Sequence, residues 1–146
     1  MQPNVVYLLD TTILVHLVRA SSLGRGIVAQ YQLLDQPFKP LISVVTVGEA
    51  LKLGRELGWG QEKINKLRDL LRELTWVDIN HEDILAAYAE IAHFSDTSGQ
   101  KKGQNDYWIA ATAKATGATL LTADKDFDHL HGVHIQRIYI DPQSAR

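Results

Sequence analysis

Four acidic residues, Asp10, Glu49, Asp106 and Asp124, each border an apolar or small-residue run. If they meet in space, their oxygen-only chemistry suits Mg²⁺ or Mn²⁺. A divalent cation held that way can activate a water and stabilise the oxyanions of a phosphodiester during in-line displacement. Singly, each acid has a plainer explanation. Asp10 can cap the helix that follows it. Thr46 and Glu49 have the spacing of a capping box. Asp106 falls at a helix start, where the macrodipole favours negative charge. Asp124 suits a turn. The joint pattern is what separates the readings. Carboxylates a few ångströms apart raise one another's pKa and destabilise a fold, and a cation relieves that.

The elements that must position these acids follow from hydrophobic patterning. Asn4-Val5-Val6-Tyr7-Leu8-Leu9, Leu41-Ile42-Ser43-Val44-Val45 and Ala118-Thr119-Leu120-Leu121-Thr122 are continuous apolar runs. Such runs read as strands buried on both faces, as in a parallel sheet. Trp76–Ile79 and Val133–Ile140 are expected as two further strands. Between them, Ile13, Leu14, Leu17 and Val18 recur at helical spacing, and Ile27, Tyr31 and Leu34 mark a second helix. A helix from Thr46-Val47-Gly48-Glu49 to about Leu57 and another bearing Ile64, Leu67, Leu71 and Leu74 form an expected hairpin that covers the sheet or a partner. Asn80-His81-Glu82-Asp83 caps the next helix, and a polar loop is expected from Ser95 to Gly103. Gln104 to Thr116 is a buried helix, with Asn105 or Asp106 as its cap and Gly117 as its terminator. Strands alternating with helices imply βαβ units and a mainly parallel sheet. In such sheets ligands bind beyond the carboxyl ends of the strands, where strand order reverses. Asp10, Glu49 and Asp124 fall at such ends, and Asp106 is expected at the same rim.

Composition sets the bounds. The chain has 146 residues, 45% of them hydrophobic, which suits a single domain over residues 1–146. The formal net charge is −2, which argues against coating nucleic acid by bulk positive charge. It leaves room for an enzyme that meets phosphates locally. Cysteine is absent, so disulfides and thiolate metal sites are excluded. No apolar run approaches a membrane span and Met1-Gln2-Pro3-Asn4 lacks a signal peptide's basic region, so a cytoplasmic protein is expected.

Four segments carry a resemblance. Leu8-Leu9-Asp10-Thr11-Thr12-Ile13-Leu14, Ser43-Val44-Val45-Thr46-Val47-Gly48-Glu49, Asn105-Asp106-Tyr107-Trp108-Ile109-Ala110-Ala111 and Leu121-Thr122-Ala123-Asp124-Lys125-Asp126-Phe127 occur in that order. Together they resemble the motifs of a PIN domain, most closely a VapC-type toxin ribonuclease of a type II toxin–antitoxin system. The resemblance implies an α/β fold, a three-layer α/β/α arrangement with a five-stranded parallel sheet. It implies Mg²⁺- or Mn²⁺-dependent cleavage of RNA (a tRNA, rRNA or mRNA), a homodimer and a VapB-type antitoxin partner. It assigns Asp10, Asp106, Glu49 and Asp124 to the metal, with Thr12, Thr46, Asn105 and Asp126 beside them. The family often has Asn where Thr12 stands. Asp126 is the second candidate for the fourth acid, and is otherwise expected to cap the segment holding Phe127.

Other readings are weaker on the residues. A haloacid-dehalogenase-like phosphatase needs an acid at the place of Thr12. A receiver domain wants paired acids after the first strand and a Lys after the last. A catalytically silent PIN-like scaffold that binds RNA or protein has no need of all four acids. His129, His131 and His134 are poorly spaced for zinc. Trp108 is expected to pack and Trp59 to be the better exposed. Lys101 and Lys102 are candidates for a phosphate contact. The hairpin from Val47 to Leu74 mixes six basic with five acidic residues, so its charge marks no RNA path, and its apolar stripe is expected at a dimer or antitoxin contact.

Overall fold

A computed structural model describes residues 5–143. The strands are β1 (Tyr7–Leu9), β2 (Leu41–Ser43), β3 (Thr75–Val77), β4 (Thr119–Thr122) and β5 (Arg137–Tyr139). They form one sheet in the order β3-β2-β1-β4-β5, every pair parallel. The helices are α1 (Thr11–Arg19), α2 (Ser22–Tyr31), α3 (Val44–Glu56), α4 (Gln61–Arg72), α5 (Glu82–Thr97) and α6 (Gln104–Thr116), with a 3₁₀ segment at Lys125–Leu130.

The strands alternate side chains between two cores. Leu8 and Leu120, paired in register, face α5 and α6 with Ile91, Ile109 and Phe127. Leu9 and Leu121, the next pair, face the other way with Ile42, Ile13, Leu14, Leu67 and Leu71. This is the expected three-layer α/β/α arrangement. Each such side chain, taken from water, contributes about 1.5–3 kcal/mol. The chain lays β1, β2 and β3 in one direction, then returns to place β4 on the other flank of β1. Strand order therefore reverses at β1, and at such a switch point the carboxyl ends of the two strands, here β1 and β4, flank the crevice where parallel sheets take their ligands.

Several local expectations are corrected. The expected capping box at Thr46 and Glu49 is not formed. Ser43 caps α3 through its hydroxyl, so the helix begins at Val44 and Thr46 is buried inside its first turn, its hydroxyl without a partner. Neither Asn105 nor Asp106 caps α6, because Gly103 holds that position without a side-chain bond. α5 runs through Ser95 to Thr97, which shortens the expected polar loop. α2 ends one turn before Leu34: Gln32 takes a left-handed conformation, which buries Leu33 and leaves Leu34 exposed. β5 is confined to Arg137–Tyr139, since Val133 and His134 belong to a turn closed on Leu130. Leu67, Leu71 and Leu74 lie in the core with α1 and α3, so that stripe is not a free docking face. Asn4 lies outside the described residues.

Candidate metal centre

Asp10 is the first residue beyond β1. Its N–H still bonds to the Leu121 carbonyl at 3.2 Å, so the sheet fixes its backbone. Its carboxylate caps α1 and is almost wholly buried, at 3% exposure. Oδ1 accepts from the Thr12 N–H at 2.8 Å, the Thr12 hydroxyl at 2.5 Å and the Ile13 N–H at 3.3 Å. Oδ2 accepts from the Thr122 hydroxyl at 2.5 Å. Burial pushes Asp10 up to about 6, against the opposing pull of these hydrogen bonds.

Glu49 reaches the rim from α3. Its Oε1 accepts from Thr11 Oγ1 at 2.8 Å and its Oε2 from Asn105 Nδ2 at 3.0 Å. Asp124 follows β4 by two residues and caps the 3₁₀ segment, accepting the Asp126 N–H at 2.8 Å. The capping role expected of Asp126 thus belongs to Asp124. Asp126 instead turns back toward the rim, where Lys102 Nζ stands 3.6 Å from its Oδ1. Asp106 projects from the first turn of α6.

Asp106, Asp124 and Asp126 each offer a carboxylate oxygen within 4.8 Å of the others, the one such cluster among the described residues. Burial first, and then the charges of Asp124, Asp126, Glu49 and Asp10 in falling order, push Asp106 up to about 7. The same electrostatics show that the other four acids all lie close enough to act on Asp106. The four acids singled out by sequence are gathered there. The tightest set substitutes Asp126 for Asp10 and Glu49, whose oxygens are engaged by Thr12, Thr122, Thr11 and Asn105. Three converging oxygens, one of them on a carboxyl disfavoured as a lone anion, fit a hard divalent cation.

Other expectations resolve simply. His129 meets Ser95 Oγ at 2.8 Å, His134 meets Lys114 Nζ at 2.8 Å, and His131 accepts the Arg137 N–H at 3.0 Å, so the three have separate partners. Trp108 packs, stacked on Tyr88 with ring centroids 4.0 Å apart. Trp59 is half-buried against Gly54, with Lys63 over its ring, and is less exposed than expected. Lys102 is engaged with Asp126. Thr122 and Thr11 were not legible as site residues. The available signal at Thr122 was a lone polar residue closing an apolar strand.

The sheet order, the switch-point crevice and the acidic rim define a class of α/β protein with a carboxylate centre at the strand ends. The PIN domain family model matches residues 7–133, and the chain belongs to that family. Its fold is similar to that of VapBC2 from Rickettsia felis, solved bound to a promoter DNA fragment, with TM-score 0.78 and 21% identity over 92% of this chain and 98% of that one. FitAcB from Neisseria gonorrhoeae aligns at TM-score 0.71 and 26% identity over 91% of this chain and 96% of that one. VapBC-1 from nontypeable Haemophilus influenzae aligns at TM-score 0.72 and 25% identity over 92% of this chain and 97% of that one. No curated protein matches the sequence. Among the described residues no helix is long and apolar enough to cross a membrane.

Proposed function

We propose that this protein is a Mg²⁺- or Mn²⁺-dependent endoribonuclease, the toxin of a VapBC-type toxin–antitoxin module, hydrolysing RNA phosphodiester bonds. The observation that carries the reading is the convergence of Asp106, Asp124 and Asp126 within 4.8 Å at the rim where Asp10 and Glu49 also stand. Asp106 and Asp124, with Asp126, would hold the cation. When bound, the cation supplies charge neutralisation for the phosphate oxygens and a lowered pKa for the attacking water.

The chain's own groups do the rest. Asp10, held by four donors, fixes negative charge at the back of the crevice. Glu49 has one donor on each oxygen and so keeps a second lone pair on each. It is the carboxylate available to orient water and take its proton. Asn105 supports this edge of the site through its bond to Glu49. Asp106, Asp124 and Asp126 are only half-buried, so that a phosphate chain would meet the cation at the surface despite the chain's net charge of −2.

The similarity to VapBC and other toxin–antitoxin complexes supports a VapB-type antitoxin as partner; a homodimer working in the cytoplasm is part of the same proposal. The test is digestion of a mixed RNA pool with Mn²⁺ present. Wild-type protein is expected to cut it, and EDTA or Asp106→Asn to stop the cutting. Undiminished cleavage by folded Asp106→Asn protein would overturn the assignment, and a folded, Mn²⁺-loaded wild type that never cuts would leave a binding scaffold.

A further inference from the structure

Two threonine hydroxyls at the rim are each bonded on both sides. Thr12 Oγ1 accepts the Ala123 N–H at 3.0 Å and lies 2.5 Å from Asp10 Oδ1. Thr122 Oγ1 accepts the Asp124 N–H at 2.9 Å and lies 2.5 Å from Asp10 Oδ2. A hydroxyl has one proton, and a main-chain N–H can only donate. Each threonine therefore accepts from the turn after β4 and gives its proton to Asp10. The Asp124 carbonyl, at 3.5 Å, is the other acceptor near Thr122 and is too distant to compete.

The result is two parallel links. Consecutive amides, those of Ala123 and Asp124, each connect through one threonine to one oxygen of the same carboxylate. All donors point the same way, toward Asp10, and the inner half of the assembly is shielded from water: Asp10 is 3% exposed and Thr122 fully buried, while Thr12 is half-buried. Such a closed set of bonds, with every member satisfied, is stiff and mutually dependent. Side chains that only filled space here would need no hydroxyl.

We infer that Thr12 and Thr122 act together as positioning residues, tying the Asp124 turn to Asp10 so that the two strand-end acids move as one unit. Its effect on activity rests on the metal-dependent reading above, whereas the coupling is a property of the chain alone. Thr12 makes no bond to Asp124, yet its hydroxyl helps to hold the carboxylate that holds Thr122.

The experiment is amide exchange by NMR on full-length wild type, Thr12→Val, Thr12→Ser and Thr122→Val, beside Mn²⁺ titration and RNA cleavage kinetics. Protected amides in β1 and β4 report that each variant is folded. In Thr12→Val, exchange at Ala123 is expected to quicken at least tenfold, and at Asp124 severalfold although its own acceptor is intact. Mn²⁺ binding should weaken about tenfold and kcat fall at least tenfold, with KM within twofold. Thr12→Ser, which keeps the hydroxyl, should restore all of these, and Thr122→Val should loosen Ala123 reciprocally. Wild-type protection of Asp124 in Thr12→Val would overturn the inference, as would a Thr12→Ser variant no better than Thr12→Val. If wild type neither binds Mn²⁺ nor cuts RNA, the functional reading falls, and the exchange at Asp124 still decides the coupling.

Discussion

The side-chain amide of Asn105 donates to Glu49 Oε2 at 3.0 Å, joining the first turn of α6 to the second turn of α3 across 56 residues of sequence. The bond spans the mouth of the acidic crevice and neutralises none of its charge. Asn105→Asp replaces the donor with a second anion against Glu49. Stability without metal is expected to fall by about 1–2 kcal/mol, from the lost bond and the new repulsion. Urea unfolding with and without Mn²⁺ measures it. The loss should shrink when Mn²⁺ is present, and equal stability of variant and wild type would mean the contact carries no weight.

Asp106 gives a pH-dependent prediction with a definite sign. Its carboxyl is pushed from an ordinary 3.8 up to about 7 in the folded protein, by burial and by its acidic neighbours. The folded state thus binds the proton more tightly than the unfolded chain, and stability falls as pH rises from near 3.8 toward 7. Asp106→Asn removes that penalty. In EDTA at pH 8 the variant should be more stable by roughly 1–2 kcal/mol, after allowance for solvent screening. That is about 3–6 °C in melting temperature. Near pH 3.5 the difference should vanish. A variant less stable than wild type at pH 8 would contradict the electrostatic account.

Metal binding must displace the same protons. With Asp106 near 7, Mn²⁺ affinity should climb between pH 5.5 and 7.5 and level off above about 8. The rise is expected to be about 10- to 30-fold, since each displaced proton gives up to tenfold per pH unit. Calorimetry in buffers of different ionisation enthalpy counts the protons released. An affinity flat across this range would remove Asp106 from the site.

Lys102 is a built-in cation beside Asp126, at 3.6 Å. It competes for the same negative charge as a metal. Lys102→Met should tighten Mn²⁺ binding about two- to fivefold, the scale of a partly exposed ion pair. If the lysine also meets RNA phosphate, KM for RNA will rise while Mn²⁺ affinity improves. Weaker Mn²⁺ binding in this variant would show that Lys102 orients Asp126 instead of competing with the ion.

Gly24 offers a test of the frame. Helix propensity alone favours Ala over Gly by about 1 kcal/mol. At position 24 an added Cβ would stand 2.2 Å from the His16 carbonyl oxygen, a backbone atom that cannot turn aside. Gly24→Ala is therefore expected to destabilise by about 2 kcal/mol or more, with α1 and α2 forced apart. The same change at Gly26, where a Cβ meets nothing, should stabilise slightly. Thermal unfolding of the pair separates packing from propensity.

Much of this was legible from residue order. Continuous apolar runs announced buried parallel strands, with Asp10, Glu49 and Asp124 expected at or just past strand ends and Asp106 at the start of a helix leading into a strand. Asp10 at the end of β1 and Asp124 just past β4 needed no more than that. The caps were not legible, for a physical reason. Ser43 and Thr46 are both good cap residues one turn apart, and the choice between them was made by how far β2 extends. The reversal of roles between Asp124 and Asp126 is the same ambiguity across two residues. The bonds from Thr122 to Asp10 and from Asn105 to Glu49 are long-range, and no local pattern encodes which hydroxyl or amide will face a given carboxylate. Leu34 was misassigned because one left-handed residue, Gln32, broke the helical period.

The strand order also has a bearing on synthesis. Asp10 leaves the ribosome early, yet the neighbours that complete its pocket, Thr122 and Asp124, lie on the far flank of β1 and emerge more than a hundred residues later. Until β4 slots in beside β1, Asp106 has neither Asp124 nor Asp126 within reach. A nascent chain therefore holds no assembled acidic centre until β4 has emerged, and a chain cut short before β4 holds none at all. Formation of the acidic centre is in this way tied to the joining of β4 to the flank of β1.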